Sequence, residues 1–396
     1  MMKRCTAIII LGYIAANAAA LDFGINLSNS TALSGFNDVS TAEQSNNAEA
    51  FIKIPTGRSS SLYFSGDARF YGIFPCTPQG KPNILPLTQV FRVGRTEWAG
   101  QKAVGSAGIQ WAIGRTPFSD YSKKILYGLF DGARVSFTLP KATIGFAAGY
   151  TGLTYKTDAK IRIDNKDRKR MIQPKTILAP PRLFFLFSSD FPSLIPAHVA
   201  GFEVLSQFDV SPQKAKTHTQ YLIPYIHGAV GKHVSWKLWG ALMLGEDAQF
   251  FHSWASGLAV QYFNPDWLNF TLKGTLDWAS GDGTGQYMER TFIPITDLKI
   301  ALIAESRFQD ILHTSVSTYI KPLQGLHAGL TYSLLTTPGV FKRQPYIGSE
   351  LLGKVAYCFY DDFDISFLCG IFVPNQNRQS AHYVRWLTEL AFTVRL

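Results

Sequence analysis

Alternate positions of several apolar-patterned segments carry charges. Asp67, Arg69, Arg134, Glu203, Lys237, Lys273, Asp277, Glu350, Lys354, Arg385 and Glu389 each stand where a single face of extended chain would hold them. Opposed across a narrow aqueous path, such side chains set up a field that orders water and selects solutes by sign. The plainer arrangement is a solubilised wall whose charges pair with one another. A second group, Arg115, Asp120, Lys123, Lys124 and Asp131, surrounds the apolar run Ile125-Leu126-Tyr127. A loop lying wholly in water has no use for that run, whereas a loop packed against an inner wall does. Segment 115–131 is therefore a candidate constriction loop, with an ordinary surface loop as the other reading.

Other chemistries lack their residues. The chain has no Gly-x-Ser-x-Gly, no His-Glu-x-x-His and no Cys-x-x-Cys. Its histidines are scattered, and His198, His227, His313 and His327 fall within strand-like segments. His313 with Ser315 two residues on comes nearest to a hydrolytic pair, but two polar residues on one strand face are commonplace. Asp277 and Asp282 beside the glycines 281–285 faintly suggest calcium, yet the ligand spacing is missing. No enzyme, cofactor or metal site is expected.

The elements that must position these charges are strands. Leu268, Phe270, Leu272, Leu276 and Trp278 alternate with Asn269, Thr271, Lys273, Thr275 and Asp277, a period of two with one apolar and one polar face. Segments 133–150, 234–244, 258–262 and 326–334 repeat the pattern, and Pro140-Lys141 preserves the phase across a two-residue turn. The last residues do the same: Val384, Trp386, Leu390, Phe392, Val394 and Leu396 share a face, broken only by Thr388. A strand ending on a bare apolar residue suits the closing strand of a transmembrane barrel, read by the barrel-assembly machinery through 384–396. Cys358 and Cys369 fall on opposite faces of their strands, so no disulfide joins them.

Counting such segments predicts an all-β, closed antiparallel transmembrane barrel of about 18 strands, or 16 on a stricter count. Lys299–Ala304 is the extra candidate, and 182–188 is poorly phased. Short turns are expected near 55–59, 100–103, 140–141, 190–196, 231–232, 264–266, 322–325 and 360–363. Long connections are expected at 29–46, 75–86, 115–131, 156–179, 280–310 and 336–346. Leu21–Ser28 is the expected partner of the final strand. A soluble sandwich or propeller would show strands too, but rarely loops so consistently uneven.

Lys3 and Arg4, the apolar run Ala7–Ala16 and Ala18-Ala19-Ala20 read as a secretory leader cleaved after Ala20, leaving 21–396 as barrel. No segment is long and apolar enough to span as a helix. Charged residues make up 17% of the chain, and 29 Phe, 17 Tyr, 8 Trp and 33 Gly suit aromatic girdles and tight turns. The full chain carries a formal charge of +10. With an export signal, this excess points away from nucleic acid and toward a basic lumen or anionic surface sugars. The basic run Lys156, Lys160, Arg162, Lys166, Arg168, Lys169, Arg170 and Lys175 sits in one long outer loop, as a mobile charged face or a docking site for anions.

Gly114-Arg115-Thr116-Pro117-Phe118-Ser119-Asp120 running on to Gly128-Leu129-Phe130-Asp131-Gly132 resembles bacterial outer-membrane porins, among them the alginate-export type and related spirochaete barrels. Ala279-Ser280-Gly281-Asp282-Gly283, Phe292-Ile293-Pro294, Gly348-Ser349-Glu350 and Gly370-Ile371-Phe372-Val373-Pro374 carry the same resemblance. It implies an outer-membrane channel, contacting lipid, for passive diffusion of small hydrophilic solutes, and the inward Arg and Lys residues lean it toward anions. A surface adhesin with a closed lumen and a host ligand is the alternative. A fatty-acid-type transporter is a third, disfavoured because about 26 residues before Ala48 leave little for an N-terminal plug.

Overall fold

The computed structural model describes residues 21–36, 39–76, 88–173, 176–212, 216–247, 249–281, 291–338, 345–359, 362–376 and 383–396. The expected leader, 1–20, lies outside them, as does most of 75–86 and Asp282.

The alternating pattern resolves into eighteen strands. The first six are β1 (Asp22–Phe36), β2 (Val39–Gly57), β3 (Ser60–Cys76), β4 (Thr88–Val104), β5 (Ala107–Ser119) and β6 (Tyr127–Thr138). Then come β7 (Thr143–Tyr150), β8 (Arg182–Ile195), β9 (His198–Asp209), β10 (His218–Val230), β11 (Val234–Glu246) and β12 (Phe250–Asn264). The last are β13 (Phe270–Ala279), β14 (Ile311–Leu323), β15 (Leu326–Thr336), β16 (Tyr346–Phe359), β17 (Phe363–Pro374) and β18 (Arg385–Arg395). Each strand pairs antiparallel with its sequence neighbours, and β1 pairs with β18. The sheet therefore has no free edge, and its backbone polar groups are satisfied strand to strand, as hydrocarbon demands.

Closure runs from Asn26 opposite Arg395 to Phe36 opposite Arg385. Ile25 and Leu396 exchange two backbone hydrogen bonds of 2.9 Å at the seam. The partner of the final strand is thus mainly 26–36, further along β1 than expected. Two other expectations fail. Residues 29–46 are not a long loop, because β1 and β2 run through them in register, from Asn29 opposite Asn46 to Phe36 opposite Val39. Their Ser, Thr and Asn residues put polar groups on both faces, which hides the period. The turn placed at 100–103 lies instead beyond Val104, around Gly105, whose φ of +61° suits glycine. Lys299–Ala304 is no barrel strand; it makes one isolated bridge, Lys299 with Arg307.

The two faces separate as the pattern requires. Leu238, Leu258, Leu272, Leu276, Val316, Leu330 and Phe367 are exposed on the outside, while Trp239, Ala259, Asp277, Ser315 and Ser317 are buried within. Cys369 is exposed outside and pairs across with Gly353, five rows from Cys358 opposite Asp364, so the two are not joined by a disulfide. No helix among the described residues is long and apolar enough to cross a membrane. An outer wall apolar on every strand has acyl chains as its solvent.

One sector of the lumen is filled. Connections 120–126, 151–173 with 176–181, and 291–310 fold inward, and the second contains α1 (Lys156–Ala159) and α2 (Asn165–Ile172). Their Ile125, Leu126, Ile161, Ile163, Phe292, Ile295 and Phe308 share one buried cluster with Phe118, Phe130, Phe184, Leu205, Tyr221, Trp239 and Met243 of the wall. Fully burying each such side chain stabilises by about 1.5–3 kcal/mol. Asp164 caps α2 by accepting from the backbone N–H of Lys166 and of Asp167, each at 2.8 Å. Buried Arg182 then ties that cap to the wall, reaching Asp167 at 2.8 Å and both Asp164 and Asp209 at 3.3 Å. Burial holds the Asp167 carboxyl above the ordinary carboxylate range, and Arg182 only partly offsets it.

Leu276 stands mid-strand on the lipid side of β13, and its neighbour Thr275 faces the lumen. Leu276→Arg should lower barrel stability by about 2–4 kcal/mol, and Thr275→Arg by much less. Denaturant titration of the heat-modifiable gel band reads both.

Candidate functional site

The hairpin between β5 and β6 is organised by one carboxylate. Asp120, buried, accepts from the backbone N–H of Ser122 at 2.8 Å, Ile125 at 3.1 Å and Leu126 at 2.7 Å, and from the Ser122 hydroxyl. These bonds roll 120–126 into a compact turn and hold Lys123 at a left-handed φ of 58°. Burial pushes the Asp120 carboxyl up even against those donors.

The turn is docked inward at four points. Tyr121 donates its backbone N–H to Glu203 Oε2 at 2.7 Å. Its ring stacks on Tyr225 with centroids 3.8 Å apart, and its hydroxyl meets His227 Nδ1 at 3.1 Å. Burial raises the Tyr121 phenol to about 12, with Asp190 and Glu203 adding to the shift. Thr296 donates its backbone N–H to the Ile125 carbonyl at 3.0 Å, joining this turn to the 291–310 connection. Lys124 Nζ reaches Asp277 Oδ2 at 2.9 Å and lies over the Phe308 ring. Segment 120–126 is therefore an inward loop pinned across the lumen.

The 291–310 connection hangs from another carboxylate. Glu350, 2% exposed, accepts from the backbone N–H of Leu302 at 3.0 Å, Ile303 at 2.7 Å and Ala304 at 2.9 Å. Asp67 is engaged as well. It accepts from Arg92 Nε at 2.9 Å, and Arg92 also reaches Asp158 of α1 at 2.6 Å. Of the inward acids, Asp67, Glu203, Asp277 and Glu350 thus hold connections or cations, while Glu389 is half-buried on β18 beside Leu368.

The cations are distributed differently. Arg69, Arg134 and Lys354 face the lumen and are exposed, and Arg385 is half-buried opposite Phe372. Lys237 and Lys273 stand on the wall facing the loop, and Lys123, Lys124 and Asp277 lie near the Lys237 ammonium, Lys124 being the lysine paired with Asp277. Beneath the loop, a cavity of about 770 Å³ on the inner wall of β2–β9 is bordered by Lys53, Arg58, Arg95, Glu97, Arg134 and Glu203.

Two residues expected in the constriction are not there. Arg115 and Asp131 are register partners in β5 and β6, in phase with exposed Ile113, and so face outward. They pair with each other at 2.8 Å, and Arg115 also donates to the Val93 and Leu153 carbonyls, each at 2.9 Å. Gly114 and Gly132 interrupt the apolar pattern, so both strands run further than their periodicity suggests. Arg92, Arg95, Glu97 and Arg182 were missed. In β4 two residues oppose one near Ser65, a bulge that switches the inward phase from Arg92 to Arg95 and Glu97. Arg95 pairs with buried Glu97 and lies over Tyr63.

His313 and Ser315 make no nucleophile–base pair. Ser315 shares a hydrogen bond of 2.6 Å with Thr275, and His313 Nδ1 lies 3.6 Å from Asp277 Oδ2. No group of three metal-ligating side chains occurs among the described residues. The basic run of 156–179 is partly structural: Lys156 bonds the Gln173 carbonyl at 2.6 Å and Arg162 pairs with Asp297 at 3.2 Å, while Arg168 and Lys169 are exposed. Lys175 lies outside the described residues.

Removing the Glu350 carboxylate leaves three inward amides without an acceptor, and each hydrogen bond to a charged group is worth about 1.5–3 kcal/mol. Glu350→Ala should speed amide exchange at 302–304 by at least about tenfold, since about 1.4 kcal/mol is already one decade. Hydrogen–deuterium exchange with mass spectrometry measures this, and exchange at 120–126 should change less.

No known family profile matches the chain, and no curated protein does. The fold, however, is that of solved outer-membrane porins of Pseudomonas aeruginosa. OccK11 (OpdR) superposes with a TM-score of 0.59 at 11% identity, covering 96% of each chain. OccK2 (OpdF), solved with glucuronate, gives 0.58 at 11% identity over 96% of this chain and 99% of that one. OpdK solved with vanillate gives 0.58 at 12% identity over the same shares. Over nearly its whole length, this chain is similar in fold to the OccK-type porin barrel.

Proposed function

We propose that the chain is an outer-membrane channel for passive diffusion of small hydrophilic solutes, with a preference for anions. The carrying observation is the division among inward charges: Glu203, Glu350 and Asp67 are occupied in fastening the interior, whereas Arg69, Arg134 and Lys354 remain exposed to the lumen. At the loop, Lys123, Lys124 and Lys273 gather near Lys237, with Asp277 as the carboxylate paired to Lys124. Charges in a confined, poorly screened passage act more strongly than on an open surface.

Small carboxylates are the solute class this favours, and two structures of similar fold were solved with glucuronate and with vanillate. A sealed adhesin would gain nothing from exposed inward cations. Insertion through the assembly machinery by 384–396, secretion by the leader 1–20 and a kinship with alginate-export-type porins belong to the same proposal and rest on the sequence.

Planar-bilayer recording under a salt gradient tests it. Wild-type channels should reverse on the anion side, and the double variant Lys123→Glu/Lys124→Glu should move the reversal potential to the cation side. Neutralising the exposed Arg168 and Lys169 of α2 should shift it far less, because exposed charges beyond about 8 Å are screened at physiological salt. Protein that forms no channels yet binds a host glycan tightly would favour the adhesin instead.

A further inference from the structure

The outward face of the seam carries a polar island. On β1, Phe23, Ile25, Leu27 and Leu33 are exposed to the outside, and Asn29 and Thr31 stand in the same phase between them. Their register partners on β2 are Asn46 and Gln44, in phase with exposed Ile52. Asn29 Nδ2 donates to Asn46 Oδ1 at 2.5 Å, and Thr31 Oγ1 donates to Gln44 Oε1 at 2.6 Å. This is not a rim. Leu27 lies toward the short-turn end and Leu33 toward the other, with Phe392 and Leu390 of β18 on one flank and Phe70 of β3 on the second. The other outward glutamines of the wall, Gln89 and Gln220, sit near strand ends.

A carboxamide has two donors and an oxygen with two lone pairs. The cross-strand bonds use only part of that capacity, and the remainder faces acyl chains, where no water completes it. We infer that this island is the contact between two copies of the chain lying side by side in the membrane. Amides are their own complement: the donors and acceptors of Asn29, Gln44 and Asn46 meet the same set across a two-fold axis along the membrane normal, as in isologous dimers. Apolar contact gives little advantage over lipid in a bilayer, so polar side chains there act as the adhesive between elements. A phospholipid ester offers acceptors only and would leave the amide oxygens unmatched. The inference rests on the membrane placement of the barrel and is independent of what passes through it.

Native mass spectrometry of the full protein, released from outer-membrane vesicles in mild detergent, reads the assembly directly. Wild type should appear as a dimer. The quadruple variant Asn29→Leu/Thr31→Val/Gln44→Leu/Asn46→Leu should appear as a monomer that keeps its heat-modifiable mobility. Should that variant fail to fold, Ala48→Trp decides: it leaves every amide in place, obstructs close approach beside Asn46, and should also give monomer. A monomeric wild type overturns the inference, and a bound lipid on that monomer, lost in the variant, would assign the island to lipid. A folded quadruple variant that remains dimeric overturns it too.

Discussion

A backbone carried into a membrane takes its amides and carbonyls with it, and each needs a partner. In the wall, strand pairing closed through β1 and β18 meets that demand. In the interior it is met by carboxylates. Asp120 gathers three amides of its own turn, Glu203 takes one from Tyr121, and Glu350 takes three from 302–304. An isolated buried carboxylate is costly, and a cage of donors is what makes it tolerable. The filled sector, the docked loop and the sign of the remaining lumen charge all follow from these few oxygens.

This division of labour explains an asymmetry that net charge alone does not. The sequence excess of +10 is modest for a chain of 396 residues. Acids committed to fastening the interior are removed from the solvent-facing account, so Arg69, Arg134 and Lys354 weigh more in the lumen than their numbers suggest. Arg92 and Arg182 run the other way, as cations spent on holding α1 and α2 to the wall. Arg182, with three aspartates around it, contributes chiefly by spanning α2, β8 and β9, since ion pairs in a buried site regain little beyond their desolvation.

The barrel and its strand number were legible wherever one face was cleanly apolar. Leu272 and Leu276 outside, with Lys273 and Asp277 inside, place β13 without ambiguity, whereas the apolar Ile125-Leu126 left an inward loop and a surface loop both open. Legibility failed where local pattern and long-range pairing disagreed. In β1 and β2 polar residues on both faces erased the period, because lumen water and the lipid-side amide pairs each tolerate them. Gly114 and Gly132 concealed the length of β5 and β6, and the bulge in β4 reversed a phase that nothing local marks. That Glu203 and Glu350 face inward could be read; that their partners are amides 82 and 47 residues away could not, since those contacts exist only after the barrel has closed.

A lumen filled from one side is no longer round. Aromatic and aliphatic side chains such as Tyr221, Trp239 and Phe308 form the packed bank, and long charged side chains such as Arg69 and Lys354 form the other. The banks differ in stiffness: close-packed rings yield little, whereas exposed arginines and lysines swing through many rotamers. Between a firm plane and a compliant fringe, a molecule is sorted by its thinnest dimension before its length.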